Sequence, residues 1–202
     1  MNLGAPLLDV VTGARGRLLT ELARLERSAS IMELAVAAGV DNRHAGRTID
    51  ALLLAGLVSE TRAGGSRMVE MNREHLDFEP ISALVGGRQR LVARAREELE
   101  PLSVIAGAWL FGSAARGDGD VGSDIDILLV GAIDLDTADW DEVVGQLRSR
   151  LRLWTGNDVQ FVEHNRASLA RMVSARNRLI AEIRRDGVAL VERGASLLRG
   201  AA

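Results

Sequence analysis

The sequence predicts an α+β chain of two domains, the first built of helices and a short hairpin, the second an α/β domain with a small mixed sheet. Two observations predict it. In the first half, apolar residues recur at helical spacing in three successive segments, and two short alternating segments follow around Gly64 and Gly65. After Pro101 the texture changes to apolar strand-like runs, "SVIAGAWLF", "DIDILLV" and "DVQFVE", with helical stretches between and after them. With 202 residues and 47% hydrophobic content, the chain has material for two cores.

The elements follow in order. "ARGRLLTELARLERS", residues 14–28, places Leu18, Leu22 and Leu25 on one helical face. Ser30 caps a second helix and Glu33 stands at its third position, the capping-box pattern, with Gly39 ending it. Asp41 caps a third helix through "NRHAGRTIDALLLAGL", with Ile49, Leu52 and Leu53 facing inward and Gly56 as the break. "VSETRAGGSRMVEMN" reads as a hairpin. A charged amphipathic helix from about Ser82 to Leu99 then connects the domains, so the division expected is 1–78, a connector at 79–101, and 102–202. Further on, "DTADWDEVVGQLRSRLRLWTG" and residues 165–186 read as helical. Trp109, Trp140 and Trp154 sit in apolar patterns and are expected in the core, and Glu163 is expected as a solvated strand end.

Composition bounds the function. The chain lacks cysteine, which excludes disulfides and thiolate metal sites, and its three histidines are too scattered in sequence for a histidine-rich one. No apolar run nears the roughly 18 residues of a membrane span, and the start lacks the basic region of a secretory signal. The expectation is a soluble cytoplasmic protein with no membrane partner. A net charge of −3 argues against indiscriminate nucleic-acid binding but not against a local basic surface.

Three helices followed by a glycine-tipped hairpin is the order of a winged helix-turn-helix. Over residues 14–73 the sequence resembles the MarR/ArsR-like winged-helix regulators, most visibly in "ALLLAGLVSETRAGGSRMVEMN". The resemblance implies binding to double-stranded DNA, an operator-like site, as a homodimer. Asn42, Arg43, His44 and Arg47 on the third helix would then reach base edges and phosphates, and Arg62 and Arg67 would flank the wing tip. Asp41, Asp50, Glu60 and Glu70 dilute that basic surface.

The chemistry concentrates in "FGSAARGDGDVGSDIDILLV", residues 111–130. In a strand, alternate side chains share a face, so Asp124 and Asp126 point the same way while Ile125, Ile127 and Leu129 point to the other. Two adjacent carboxylates repel unless a cation lies between them, and Mg²⁺ or Mn²⁺ is the hard ion that suits such oxygens. Gly112 and Ser113 offer the complementary half, a turn whose N–H groups and hydroxyl can hold a phosphate. Metal beside phosphate points to phosphoryl or nucleotidyl transfer.

The spacing G-S-x10-D-x-D resembles the polymerase-β-type nucleotidyltransferase superfamily, and its minimal nucleotidyltransferase branch in particular, over roughly residues 103–192, including "IAEIRRDGVAL". The resemblance implies that Gly112, Ser113, Arg116 and Ser123 contact ATP or another nucleoside triphosphate. It makes Asp124 and Asp126 the metal-holding catalytic pair. A third carboxylate on a later strand completes such sites, yet "VQFV" puts Gln160 there. A neutral amide neither anchors a divalent cation well nor accepts a proton. Asp158, about 7 Å back along the strand on the same face, is the candidate substitute. Three readings stay open: a nucleotidyltransferase with DNA contacts, a regulator whose degenerate transferase domain senses a ligand, and an antitoxin that modifies a partner toxin.

Overall fold

The computed structural model describes residues 1–132, 134–194 and 196–198. They form two compact units: Asn2 with Gly4–Gly87, and Met1 and Leu3 with the chain from Arg88 onward.

The first unit opens with a short 3-10 turn at Pro6–Asp9, then α1 (Gly13–Arg24), the two-residue β1 (Ala29–Ser30), α2 (Ile31–Ala37) and α3 (Asn42–Leu54). Both expected caps are made. The Ser30 hydroxyl accepts from Glu33 N–H, and the Asp41 carboxylate accepts from Arg43 and His44 N–H at 3.0 and 3.1 Å. The Glu33 carboxylate pairs with Arg27 instead of returning to Ser30, so the capping box is made on one side only. β2 (Val58–Ala63) and β3 (Ser66–Met71) close directly, Ala63 opposite Ser66. Gly64 and Gly65 both have positive φ (55° and 79°), the backbone that a two-residue turn needs to match strand twist. The sheet order is β1-β3-β2, all antiparallel. Leu18, Leu22, Leu34, Ile49, Leu52 and Val69 form the centre of this core. Leu53 is only partly buried against it.

The expected connector helix is two helices. α4 (Phe78–Val85) ends at Gly86, and its Phe78, Ile81, Leu84 and Val85 pack on the first core. α5 (Gly87–Leu99) supplies Leu91, Val92, Ala95 and Leu99 to the second core. Amphipathic periodicity runs through both helices, and adjacent glycines weaken helix propagation between them.

In the second unit, β4 (Ile105–Phe111), α6 (Gly112–Arg116), β5 (Ile125–Gly131), α7 (Ala138–Thr155) and β6 (Val159–Asn165) are followed by α8 (Arg166–Ser174), α9 (Arg178–Asp186) and β7 (Val188–Glu192). The sheet is mixed, in the order β6-β5-β4-β7. β5 and β6 are parallel, whereas β4 runs antiparallel to β5 and β7. Both faces are covered. Ile125, Ile127 and Leu129 pack with α5 and α7, and Leu128 and Val130 with α8 and α9. The face that carries Asp126 therefore becomes apolar and buried two residues later. Only the end of β5 can hold carboxylates.

Residues 165–186 are helical as expected, in two pieces broken where Arg176 takes φ 51° and Asn177 caps α9. β7 adds a fourth strand to the sheet, overlapping the end of "IAEIRRDGVAL". One expectation needs correction. Glu163 is not a solvated end, because its carboxylate accepts the indole N–H of buried Trp140 at 2.7 Å. Trp109 and Trp140 are core, and Trp154 is partly buried. Among the described residues, no helix is long and apolar enough to cross a membrane.

Candidate functional site

The site forms where two central strands end together. Phe111, the last residue of β4, lies opposite Asp126 in the antiparallel register, so Gly112 follows directly beside the Asp126 carboxylate. A Cβ at Gly112 would stand 2.4 Å from Asp126 Oδ2, closer than two nonbonded atoms can come. Gly112 also takes φ 67°, which side chains disfavour. Any other residue here would take a strained backbone and displace the Asp126 carboxylate.

From Gly112 the chain enters α6. Arg88 of α5 steadies that turn from behind. Its guanidinium donates to the Ala114 carbonyl at 2.9 Å and also to the Ala115 carbonyl. The loop after α6 folds back over Ser113, so that a Cβ at Gly119 would lie 3.1 Å from Ser113 Oγ. Arg116 bonds Asp118 at 3.1 Å, and its charge still acts on Asp126. Gly112, Ser113 and Arg116 are thus gathered around the end of β5.

Asp126 is half-buried and Asp124 exposed. Burial first, then the negative charge of Asp124, pushes the Asp126 carboxyl above the ordinary carboxylate range, and Arg116 pulls it part of the way back. Such a pair favours either a proton or a cation between its members. Hard oxygens side by side, in a pocket that a Cβ would fill, fit a divalent cation of the Mg²⁺ or Mn²⁺ type. Among the described residues, no cluster of three His, Cys, Asp or Glu side chains exists to hold a metal. Gln160 explains this on the β6 side, because the parallel register sets it directly opposite Asp126.

Asp158 lies just ahead of β6, and its carboxylate pairs with Arg152 of α7 at 3.1 Å. Its backbone reaches the end of β5, where the carbonyl accepts from Ile125 N–H at 2.8 Å. Ser123, the other residue expected to contact nucleotide, is bonded within the loop. Its hydroxyl donates to Asp120 Oδ1 and accepts from Asp120 N–H, both at 2.9 Å. The same hydroxyl, with Gly122 N–H, holds the Asp120 carboxyl below its usual range. Asn157 and Arg88 were not singled out in the sequence. Both act on backbone carbonyls distant in the chain, for which no local pattern exists.

In the first unit, Asn42, Arg43, His44 and Arg47 are exposed along the start of α3, and Arg62 is exposed on β2. Arg67 is not a free wing-tip cation. It bonds Glu60 at 2.8 Å and Asp50 of α3 at 2.6 Å, tying the hairpin to that helix.

The raised Asp126 carboxyl has a signed consequence for stability. A group whose folded pKa lies above its unfolded one favours folding fully below the unfolded value, about 3.9 for aspartate, and loses that contribution as pH rises through the folded value. At neutral pH the ionised carboxylate therefore works against the fold. Asp126→Asn should unfold at a higher temperature than the parent protein at pH 7.5 in EDTA, with the gap closing towards pH 4. Equal melting temperatures at pH 7.5 would show that the carboxylate is not strained.

Comparison with known proteins bears on the same segment. Residues 91–173 match the family model described as the nucleotidyltransferase domain, which is less than half of the chain. No curated protein matches the chain. Among solved structures, a toxin-antitoxin crystallised with AMP-PNP aligns at 22% identity over 52% of this chain and 77% of its own, with a TM-score of 0.37. A mutant of the toxin-antitoxin MntA-HpeT aligns at 20% identity over 50% and 73%, with a TM-score of 0.35. Likenesses this distant carry no argument about activity. The family match is independent of them: the residues that resemble the nucleotidyltransferase domain, 91–173, span the Gly112–Ser113 turn and both aspartates.

Proposed function

We propose that the second unit binds a nucleoside triphosphate, ATP or a close relative, together with Mg²⁺ or Mn²⁺, and that its capacity for nucleotidyl transfer is weak. The observation that carries this reading is the seat of Gly112 against Asp126. Asp124 and Asp126 would hold the metal, which when bound neutralises phosphate oxygens and aligns them. The Gly112–Ser113 turn offers its backbone and the Ser113 hydroxyl to the phosphates, and Arg116 lies close enough to add positive charge. Asp158 contributes its backbone and not a base, and Ser123 shapes the loop.

The reduced transfer follows from Gln160. Attack by an acceptor hydroxyl needs its proton withdrawn, and an amide at the position opposite Asp126 cannot accept one. This favours the ligand-sensing reading over an efficient transferase. An acceptor hydroxyl on a partner protein, including a toxin, remains the target if transfer occurs.

For the first unit we propose a winged helix-turn-helix that binds double-stranded DNA as a homodimer. Its support is the order α1-β1-α2-α3-β2-β3, with exposed polar and basic residues at the start of α3. Arg43, Arg47 and Arg62 make no ion pair among the described residues and are the candidates for base and phosphate contacts. Arg67 instead holds the hairpin against α3.

Calorimetry with ATP tests the nucleotide site. Heat of binding should appear with Mg²⁺, fall sharply in EDTA, and vanish in Asp124→Asn/Asp126→Asn. Equal affinity in all three rules out the metal role. Turnover is tested separately: Gln160→Asp should raise transfer of labelled nucleotide by about 10²-fold or more, in line with what a positioned base contributes. Fast transfer by the unmodified protein would refute the sensing reading. For DNA, Arg43→Ala should lose about 1–3 kcal/mol of discrimination between the preferred site and a base-substituted one. Arg67→Ala should lower the melting temperature of the first unit. Identical binding to both DNA sequences by the parent protein would remove the premise.

A further inference from the structure

Asp124 is exposed, and its carboxylate makes no hydrogen bond among the described residues, yet the peptides on either side of it are both held. On the far side, Ile125 N–H donates to the Asp158 carbonyl at 2.8 Å. On the near side, the Ser123 carbonyl accepts from the Asn157 side-chain amide at 2.9 Å. Each peptide is planar, so fixing the 123–124 carbonyl and the 124–125 N–H orients the Asp124 Cα between them. Two consecutive residues, Asn157 and Asp158, perform both tasks.

Asn157 is built for this. It is 2% exposed, and its amide also reaches the Asp120 carbonyl at 3.4 Å and the Met1 carbonyl at 3.2 Å. Its Oδ1 accepts from the Met1 amino group at 2.7 Å, and its N–H donates to Thr155 Oγ1 at 3.2 Å. Thr155 in turn is bonded to Leu151 in α7. The loop end is equally closed on itself, because Asp120 accepts from Gly122 N–H and the Ser123 hydroxyl. A small knot, residues 120–123, is thus anchored to the fold through one buried side chain.

We propose that Asn157 is a positioning residue for the nucleotide site, holding Asp124 where its carboxylate can share a divalent cation with Asp126. The inference rests on the metal–nucleotide reading of the second unit. The residue touches neither ligand, and its effect passes through the peptide it grips.

Asn157→Asp is the informative substitution. It keeps the shape and the acceptor toward Met1 but puts a second acceptor against the Ser123 and Asp120 carbonyls. The Mg²⁺ concentration required for ATP binding, followed by calorimetry, should rise about tenfold or more, the scale for groups that orient metal ligands. ATP binding in EDTA should not change. Thr20→Val removes a buried hydrogen bond to the Gly16 carbonyl in the first unit and leaves the loop and Asn157 untouched. It should lower the melting temperature and leave the Mg²⁺ requirement alone. If Asn157→Asp does not fold, Asp120→Ala opens the same knot at an exposed residue and should raise the Mg²⁺ requirement in the same direction. An unchanged requirement in a folded variant, while the parent binds Mg²⁺–ATP, overturns the positioning role alone. A parent protein without Mg²⁺-dependent binding overturns the nucleotide reading and this role with it.

Discussion

The end of β5 keeps two carboxylates together against a residue that has no side chain. Both neighbours of that arrangement are fixed by the sheet. β4 and β5 are its central strands, buried on both faces, and their register leaves no freedom in where Phe111 and Asp126 meet. Once that register is set, Gly112 passes within contact of the Asp126 carboxylate, which any side chain there would push aside. The electrostatic cost of the pair is small beside the apolar burial of two such strands, at about 25 cal/mol per Å². A well-packed sheet can hold a repulsive pair at its rim without losing its fold. The repulsion then remains available to be relieved by a cation or a proton.

Backbone groups carry more of this site than side chains do. Arg88 grips the carbonyls of α6, Asn157 grips that of Ser123, and Asp158 offers its own carbonyl to Ile125. A carbonyl is present at every residue, so such contacts leave the sequence free to vary at the residue gripped. They demand much only of the residue that grips. The same economy appears in the first unit, where Arg67 joins Glu60 of β2 to Asp50 of α3. In both units an amide or guanidinium side chain sets the geometry of its neighbours.

This division explains how much could be read from sequence. Gly112, Ser113, Asp124 and Asp126 stand close in the chain, and strand alternation alone puts the two aspartates on one face. Gln160 was legible only through the resemblance, which implies a carboxylate in "VQFV"; its place opposite Asp126 comes from the parallel register. The caps at Ser30 and Asp41 and the Gly64–Gly65 turn are also local chemistry. What escaped was set by distant partners. Asp158 has the right parity for a ligand, but strand alternation does not announce its ion pair with Arg152 of α7. Glu163 looked solvated until the α7 tryptophan came down upon it. β7 pairs with a strand about eighty residues earlier, and a strand as short as Val188–Glu192 does not announce such a pairing. The break between α4 and α5 was visible as two glycines, but the helical period on either side concealed it.

Gln160 ties these points to function. In parallel register with Asp126, it can offer one amide oxygen to a cation or a bound water, so the site keeps hard-oxygen character while losing a unit of negative charge. Fewer ligand charges mean weaker attraction for a bare cation. The phosphates of a nucleotide bring negative oxygens of their own, so the loss weighs less on a metal that arrives with its nucleotide. Binding thus depends on the sum of charges around the metal, which the ligand can restore. Proton removal from an acceptor depends on one group in one place, which the ligand cannot supply from the same side. In the proposed reading, an amide in place of a carboxylate separates two properties that such a site would combine, and it leaves the register, the glycine turn and the Asn157 contacts, on which the proposed binding rests, as they are.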